Sequence, residues 1–227
     1  MAEFKINLND IYSYDWGSLY WFEYEVTIGF WALKDLIIYQ EEIYVKKQNE
    51  FISKRDKVLP TVPDEYRDSY EQHFFEDADR TFGELKYIQR NSVCLSFFSY
   101  FEGKLLELVR MMEVEFNVPY KRANMEILMS INRYIVNDCK IDATTFRDRF
   151  KSIVKQSPTR NAIAHNQSLF ENVIRFKKEE GIILKGKKAI IEDVIYLNNL
   201  INWAEDYFEK LFVAIDKRLK KINSVKK

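Results

Sequence analysis

Apolar residues recur at helical spacing along most of this chain. From Trp16 to about Lys57 no proline interrupts, and Tyr20, Tyr24, Trp31, Ile38 and Val45 follow one another at intervals of four and seven. That spacing predicts one long amphipathic helix. Leu59-Pro60-Thr61-Val62-Pro63-Asp64 reads as a turn, with Asp64 placed to cap the next helix. Residues 65–82 are highly charged, so this segment is expected to reach solvent or to project from the bundle. From Glu84 to Phe116 the helical period returns through Val93, Phe97, Phe101, Leu105, Leu108 and Met112, and Asn117-Val118-Pro119 ends it. Two shorter helices are expected at about 124–137 and 144–156, the first capped by Asn124 and the second by Asp142 or Thr144. A further helix opens at Ser157-Pro158, where serine can cap and proline fits the first helical position.

The pattern then changes. Val173-Ile174-Arg175-Phe176 and Ile182-Ile183-Leu184 flank a Glu-Glu-Gly turn, and Gly186-Lys187 makes another. These runs predict a small β-hairpin near residues 173–185. From Ile190 to Lys221 the helical period resumes through Val194, Leu197, Leu200, Ile201, Phe208 and Leu211, predicting a closing helix with a basic tail at 217–227. Residues 1–15 lack periodicity and read as an extended lead-in. The expected fold class is all-α, a bundle of long antiparallel helices carrying one hairpin.

Composition agrees with long helices and narrows the chemistry. Only 6 Gly and 4 Pro stand among 227 residues, while 47% are hydrophobic and 15% aromatic, which suits thick helix–helix interfaces. The aromatics of the first helix, Trp16, Trp21, Phe22, Phe30 and Trp31, are expected in the core or at a dimer interface rather than around a ligand. Cys94 and Cys139 are too few for a disulfide framework or a zinc cluster, which favours a reducing, cytoplasmic setting. The N-terminus lacks the basic flank and apolar core of a secretion signal. The run from Val26 to Tyr39 approaches membrane-spanning length but contains Lys34 and Asp35, so no membrane partner is expected.

A formal net charge of zero conceals an asymmetry. Residues 1–139 hold 16 Lys and Arg against 24 Asp and Glu, whereas residues 140–227 hold 19 against 11. The basic part contains the helix that starts at Ser157, and a positive field there would favour an anionic partner such as a nucleic acid, or head-to-tail docking of the chain.

Few residues are equipped for catalysis. His73 lies in a charged stretch with no second ligand one turn away. No phosphate-cradling glycine loop, nucleophile elbow or His-Glu-x-x-His pattern occurs, and neither cysteine has a histidine nearby in sequence. What remains is Arg160-Asn161-Ala162-Ile163-Ala164-His165. At 100° per residue, Ala162, Ile163, Leu169 and Phe170 gather on one side, and Arg160, Asn161, Ala164, His165 and Ser168 on the other. Asn161 and His165 are i,i+4 neighbours, and Arg160 flanks them one turn from a helix N-terminus. A cation, an amide and an imidazole so placed could hold a phosphate beside a titratable base. They could equally form a satisfied polar contact inside a bundle.

This hexapeptide resembles the R-x(4–6)-H signature of HEPN domains, including the polar residue that the family favours after the arginine. The upstream segment Ser96-Phe97-Phe98-Ser99-Tyr100-Phe101-Glu102-Gly103 is similar to an earlier core helix of the family, which often bears an acid where Glu102 stands. A short hairpin followed by one closing helix also matches that layout. The resemblance covers about residues 85–220 of a single domain spanning 1–227, with about 16–82 as a helical elaboration. It implies a HEPN-like helical bundle that forms a homodimer with a composite active site. It also implies metal-independent endoribonuclease activity that needs no cofactor, as in toxins, abortive infection and antiviral defence. In that reading His165 moves the proton, Arg160 grips the phosphate, Asn161 orients or donates, and Glu102 holds Arg160. Attack by the RNA's own 2′-OH would leave a 2′,3′-cyclic phosphate and a 5′-OH. An antitoxin or sensor partner is expected by the same analogy. HEPN toxins paired with nucleotidyltransferase antitoxins often carry a tyrosine two positions after the histidine, and Gln167 departs from that pattern. The alternatives are a non-catalytic HEPN module that binds RNA, a nucleotide or a protein, and a helical scaffold in which the motif is coincidental.

Overall fold

Residues 14–225 of the chain are described by a computed structural model. The lead-in expected at 1–15 therefore lies outside the described residues apart from Tyr14 and Asp15, as does the end of the basic tail. Two long helices and a third of intermediate length form the frame: α1 (Gly17–Val58), α3 (Asp77–Phe116) and α7 (Ile195–Val225). The shorter α2 (Asp64–Glu71), α4 (Ile127–Arg133), α5 (Arg147–Val154) and α6 (Ser157–Asn166) fill the connections, with a two-stranded sheet of β1 (Ile182–Lys185) and β2 (Lys188–Ile191). The described residues are all-α apart from that hairpin. No helix among the described residues is long and apolar enough to cross a membrane.

The frame is held by aromatic packing. From α1, Phe22 meets Phe212 and Phe30 meets Phe208, each with ring centroids 5.9 Å apart. From α3, Phe101 meets Phe208 edge-on at 5.6 Å. All five side chains are at most 3% exposed, and edge-to-face pairs add to their area burial. The pairings show that α1 runs antiparallel to both neighbours: Phe22 lies by Phe212 and Lys34 pairs with Glu205, while the Tyr100 hydroxyl donates to the Val26 carbonyl and Arg90 pairs with Glu41. Gly29 is required where α1 crosses α3, because a Cβ there would lie 1.9 Å from the Tyr100 hydroxyl oxygen. Arg90 is buried and satisfied, donating to both Glu41 carboxylate oxygens at 2.8 and 2.9 Å and to the carbonyls of Ile191 and Glu192. It thereby ties α1, α3 and the end of β2 together.

Several boundaries differ from the sequence expectation. The charged segment 65–82 is mostly exposed, as its composition requires, but it does not end in a break. One π-helical turn at Gln72–Glu76 joins α2 to α3, because Phe75 and Phe82 pack on Phe51 of α1 and keep the run helical. Asp64 is the first residue of α2 rather than its cap, and Pro63 precedes it. Asn124, Asp142, Thr144 and Ser157 likewise cap no helix; the residues before α4, α5 and α6 are Glu126, Phe146 and Gln156, none with a side-chain capping bond. The Asp142 carboxylate is engaged locally, accepting from the Thr144 backbone N–H and hydroxyl.

The hairpin predicted near 173–185 is displaced. Ile182 pairs with Ile191 and Lys185 with Lys188, so Gly186-Lys187 is the turn, with Gly186 at φ 61°. Val173–Arg175 instead forms a 3₁₀ turn, capped by the Asn172 side chain accepting from the Ile174 N–H. That local bond competes with strand pairing. Because 188–191 is taken by β2, the closing helix starts at Ile195 rather than Ile190.

Candidate functional site

Helix α6 is short, and its position depends on anchors at both ends. At its start the buried Gln156 accepts from the Tyr196 hydroxyl at 3.3 Å. At its end Gln167 and Ser168 both turn left-handed, with φ 49° and 65°. The Ser168 N–H then donates back to the Ala162 carbonyl at 2.8 Å, closing the helix as left-handed termini do. The Ser168 hydroxyl is buried and accepts from the Tyr87 hydroxyl at 2.7 Å and the Asn91 amide at 3.2 Å. Its carbonyl accepts from the Ala189 N–H. Ser168 is thus a clamp to α3 and β2. Its expected place on the outer polar side is incorrect, since the helix ends before it and the chain reverses inward. Leu169, expected beside Ile163, is exposed for the same reason, while Ala162, Ile163 and Phe170 are buried as expected.

Within this setting Arg160 leaves α6 toward α3. Its Nη2 donates to Glu102 Oε1 at 2.7 Å, and its Nη1 donates to Asn161 Oδ1 at 2.9 Å. The pair is mostly enclosed, with the arginine side chain 27% and the glutamate 20% exposed. Burial raises the Glu102 carboxyl above its usual range, the Arg160 charge and hydrogen bond partly oppose that, and Glu126 adds to it. The arginine keeps donors beyond the two in use, and its partial exposure leaves an anion a route to them.

His165 sits one turn beyond Asn161 and is exposed. The structure brings Arg160, Asn161 and Glu102 into one hydrogen-bonded group, and it leaves His165 outside that group. Asn161 turns its oxygen to Arg160, and among the described residues no hydrogen bond joins it to His165. Cys94 lies near enough for the Arg160 charge to act on it, but burial dominates and pushes its thiol up to about 12. It is a core side chain, as is Cys139. His73 stands exposed in the π turn between α2 and α3.

One feature of the basic half was not singled out from sequence. A groove of about 340 Å³ against the second half of α7 is lined by Lys140, Lys210, Lys217, Arg218 and Lys221, together with the acids Asp142 and Glu209. The excess of cations after residue 139 was its only signal. Arg160, Asn161, His165 and Glu102 do not line it.

No family model, no curated protein and no solved structure matches this chain.

Proposed function

We propose that this protein is a HEPN-type, metal-independent endoribonuclease, acting as a toxin or antiviral-defence effector. The observation that carries the reading is the arrangement on α6: a guanidinium steadied by Glu102 and Asn161, followed one turn later by an exposed imidazole. An RNA phosphodiester has its nucleophile built in. His165 as base takes the 2′-OH proton while the 2′ oxygen bonds to the adjacent phosphorus. Arg160 donates to the non-bridging oxygens as negative charge builds in the phosphorane, an interaction stronger there than in the ground state. The bond to the 5′ oxygen breaks, and that oxygen takes a proton from an imidazolium, supplied by the second copy or by His165 once it has been protonated. The products are a 2′,3′-cyclic phosphate and a 5′-OH. Asn161 keeps its amide N–H groups available as further donors, and Glu102 is a positioning residue that acts through Arg160. In this reading two copies join their α6 helices into a composite cleft, and an antitoxin or sensor restrains the enzyme.

The engagement of Arg160 also suits a non-catalytic module of the same fold that binds RNA, a nucleotide or a protein, because an ion-paired arginine can serve structure alone. Incubation of purified protein with total RNA in EDTA separates the two, with an Arg160→Ala/His165→Ala variant alongside. Fragments ending in cyclic phosphate from the wild type, lost in the variant, are the expected result. Intact RNA with the wild type in the presence of its activating partner, or equal cutting by the variant, refutes catalysis.

A further inference from the structure

The groove along the second half of α7 contains a cation that the fold leaves without a counterpart. Arg218 is partly buried, its Nε–H is enclosed with no acceptor, and no ion pair reaches its guanidinium among the described residues. Enclosed donors are satisfied in nearly every folded protein, so an orphan marks a place where a water, an ion or a ligand belongs. Here the donor is charged, and an enclosed charge needs a counter-charge as well as an acceptor.

The side chains around Arg218 do not supply one. Lys217 and Lys221 stand one turn apart on α7, and Lys140 joins them from the segment before α5; none of the three has an ion-pair partner among the described residues. Lys210 is answered by Asp206 at 2.8 Å. The acids of the groove are Asp142 and Glu209. Asp142 accepts from the Thr144 N–H and hydroxyl, and these bonds hold its carboxyl below the usual range, with Arg147 and Lys217 adding to that. Four unpaired cations against two carboxylates leave two positive charges in excess.

Lys140 is placed there at a conformational cost. It turns left-handed at φ 59°, where glycine is favoured, so that the Ile141 N–H donates to the Ile135 carbonyl and Ile141 enters the core. The core makes no use of the exposed lysine side chain, whereas the groove gains a charge from it.

We infer that this groove is a binding site for the phosphate monoester of a small organic molecule. An excess of two positive charges matches a monoester dianion, and the guanidinium fork matches tetrahedral phosphoryl oxygens. The volume calls for more than a bare ion. At about 340 Å³ the groove has room for roughly ten waters at about 30 Å³ each, within the range of small-molecule sites. Val213 and Ala214 give the organic part an apolar floor. Asp142 and Glu209 offer acceptors to its hydroxyl groups and repel a nucleic-acid strand, whose diesters carry only one charge each. The residues of the Arg160 site do not line the groove, so the inference stands apart from the ribonuclease reading.

The test is isothermal titration calorimetry on the full chain at about pH 8, where a phosphate monoester is a dianion. The probes are phenyl phosphate, inorganic phosphate and dimethyl phosphate. Phenyl phosphate should bind with a Kd below about 1 mM, at least about five-fold tighter than inorganic phosphate and about ten-fold tighter than dimethyl phosphate. Arg218→Gln should weaken phenyl phosphate about ten-fold or more. Lys140→Gly should weaken it about three-fold, while its thermal midpoint stays or rises because glycine suits the left-handed turn. That second variant decides the matter even where Arg218→Gln fails to fold. No phenyl phosphate binding to the wild type up to about 10 mM, or wild-type affinity in either folded variant, overturns the inference. Dimethyl phosphate binding equally well overturns the monoester assignment, and inorganic phosphate binding equally well overturns the role of the organic part.

Discussion

Removing the Glu102 carboxylate tests how Arg160 is held. The ion pair is mostly enclosed, with side chains 20% and 27% exposed. Exposed pairs contribute about 0–1 kcal/mol, and breaking a fully buried pair costs about 3–5 kcal/mol. At 2.7 Å, with one extra bond from Arg160 to Asn161, this pair falls between those limits. Glu102→Ala should therefore cost about 1–2 kcal/mol at neutral pH. A double-mutant cycle with Arg160→Ala, read by urea unfolding, should give a coupling of the same size. The pH dependence has a definite sign. Burial raises the Glu102 carboxyl above its ordinary 4.5 by more than Arg160 lowers it, so the folded protein binds this proton more tightly than the unfolded chain. Its ionisation thus costs stability as pH rises through the raised value, and Glu102→Gln should lack that decline. The coupling to Arg160 belongs to the ionised form, so it should shrink as pH falls through the same window. A neutral-pH coupling below about 0.5 kcal/mol, within the scatter of independent sites, would refute the claim that Glu102 positions Arg160.

Three other outcomes are expected. Gly29→Ala would place a Cβ within 1.9 Å of the Tyr100 hydroxyl, and relieving that clash should cost about 1–3 kcal/mol in thermal or urea unfolding; an unchanged midpoint would show that α1 and α3 separate easily. Tyr87→Phe removes the donor to the Ser168 hydroxyl and Gln167 carbonyl, so it should cost about 1 kcal/mol and speed amide exchange at Ser168 and Leu169 more than in α7; uniform acceleration would contradict a local clamp. Under the proposed ribonuclease reading, RNA cleavage should rise and then fall with pH, since one imidazole must accept a proton and one must donate it. A profile flat from about pH 5 to about 9 would argue against His165 as the proton carrier.

What sequence alone decided was whatever depends on period and on residues that stop a helix. The long α1 was legible because a helical period runs through Val45 without a proline, but the stripe read there was the wrong one: Tyr24, Trp31, Ile38 and Val45 are exposed, and α1 buries Leu19, Phe22, Val26, Phe30, Leu33, Ile37 and Tyr44. The end of α3 was legible because Asn117, at φ 52°, suits a left-handed terminus and Pro119 follows. The pairing of Glu102 with Arg160, 58 residues apart, was expected only from the family resemblance, since neither period nor spacing singles out Glu102 among the 35 acids of the chain. Tertiary structure decided the rest. Ser168 reads as one more polar residue of a helix face, and only the reversal at Gln167 and the presence of Tyr87 and Asn91 make it a buried clamp. Val173–Phe176 has strand-like residues, but the Asn172 side chain bonds locally and β1 finds its partner on the other side, at Lys188–Ile191. Asn161 was expected to orient His165 or to act as a donor, and its side-chain oxygen instead accepts from Arg160. Period and stop signals act within a few residues, whereas the clamp, the strand partner and the arginine's neighbours are set by contacts between distant segments.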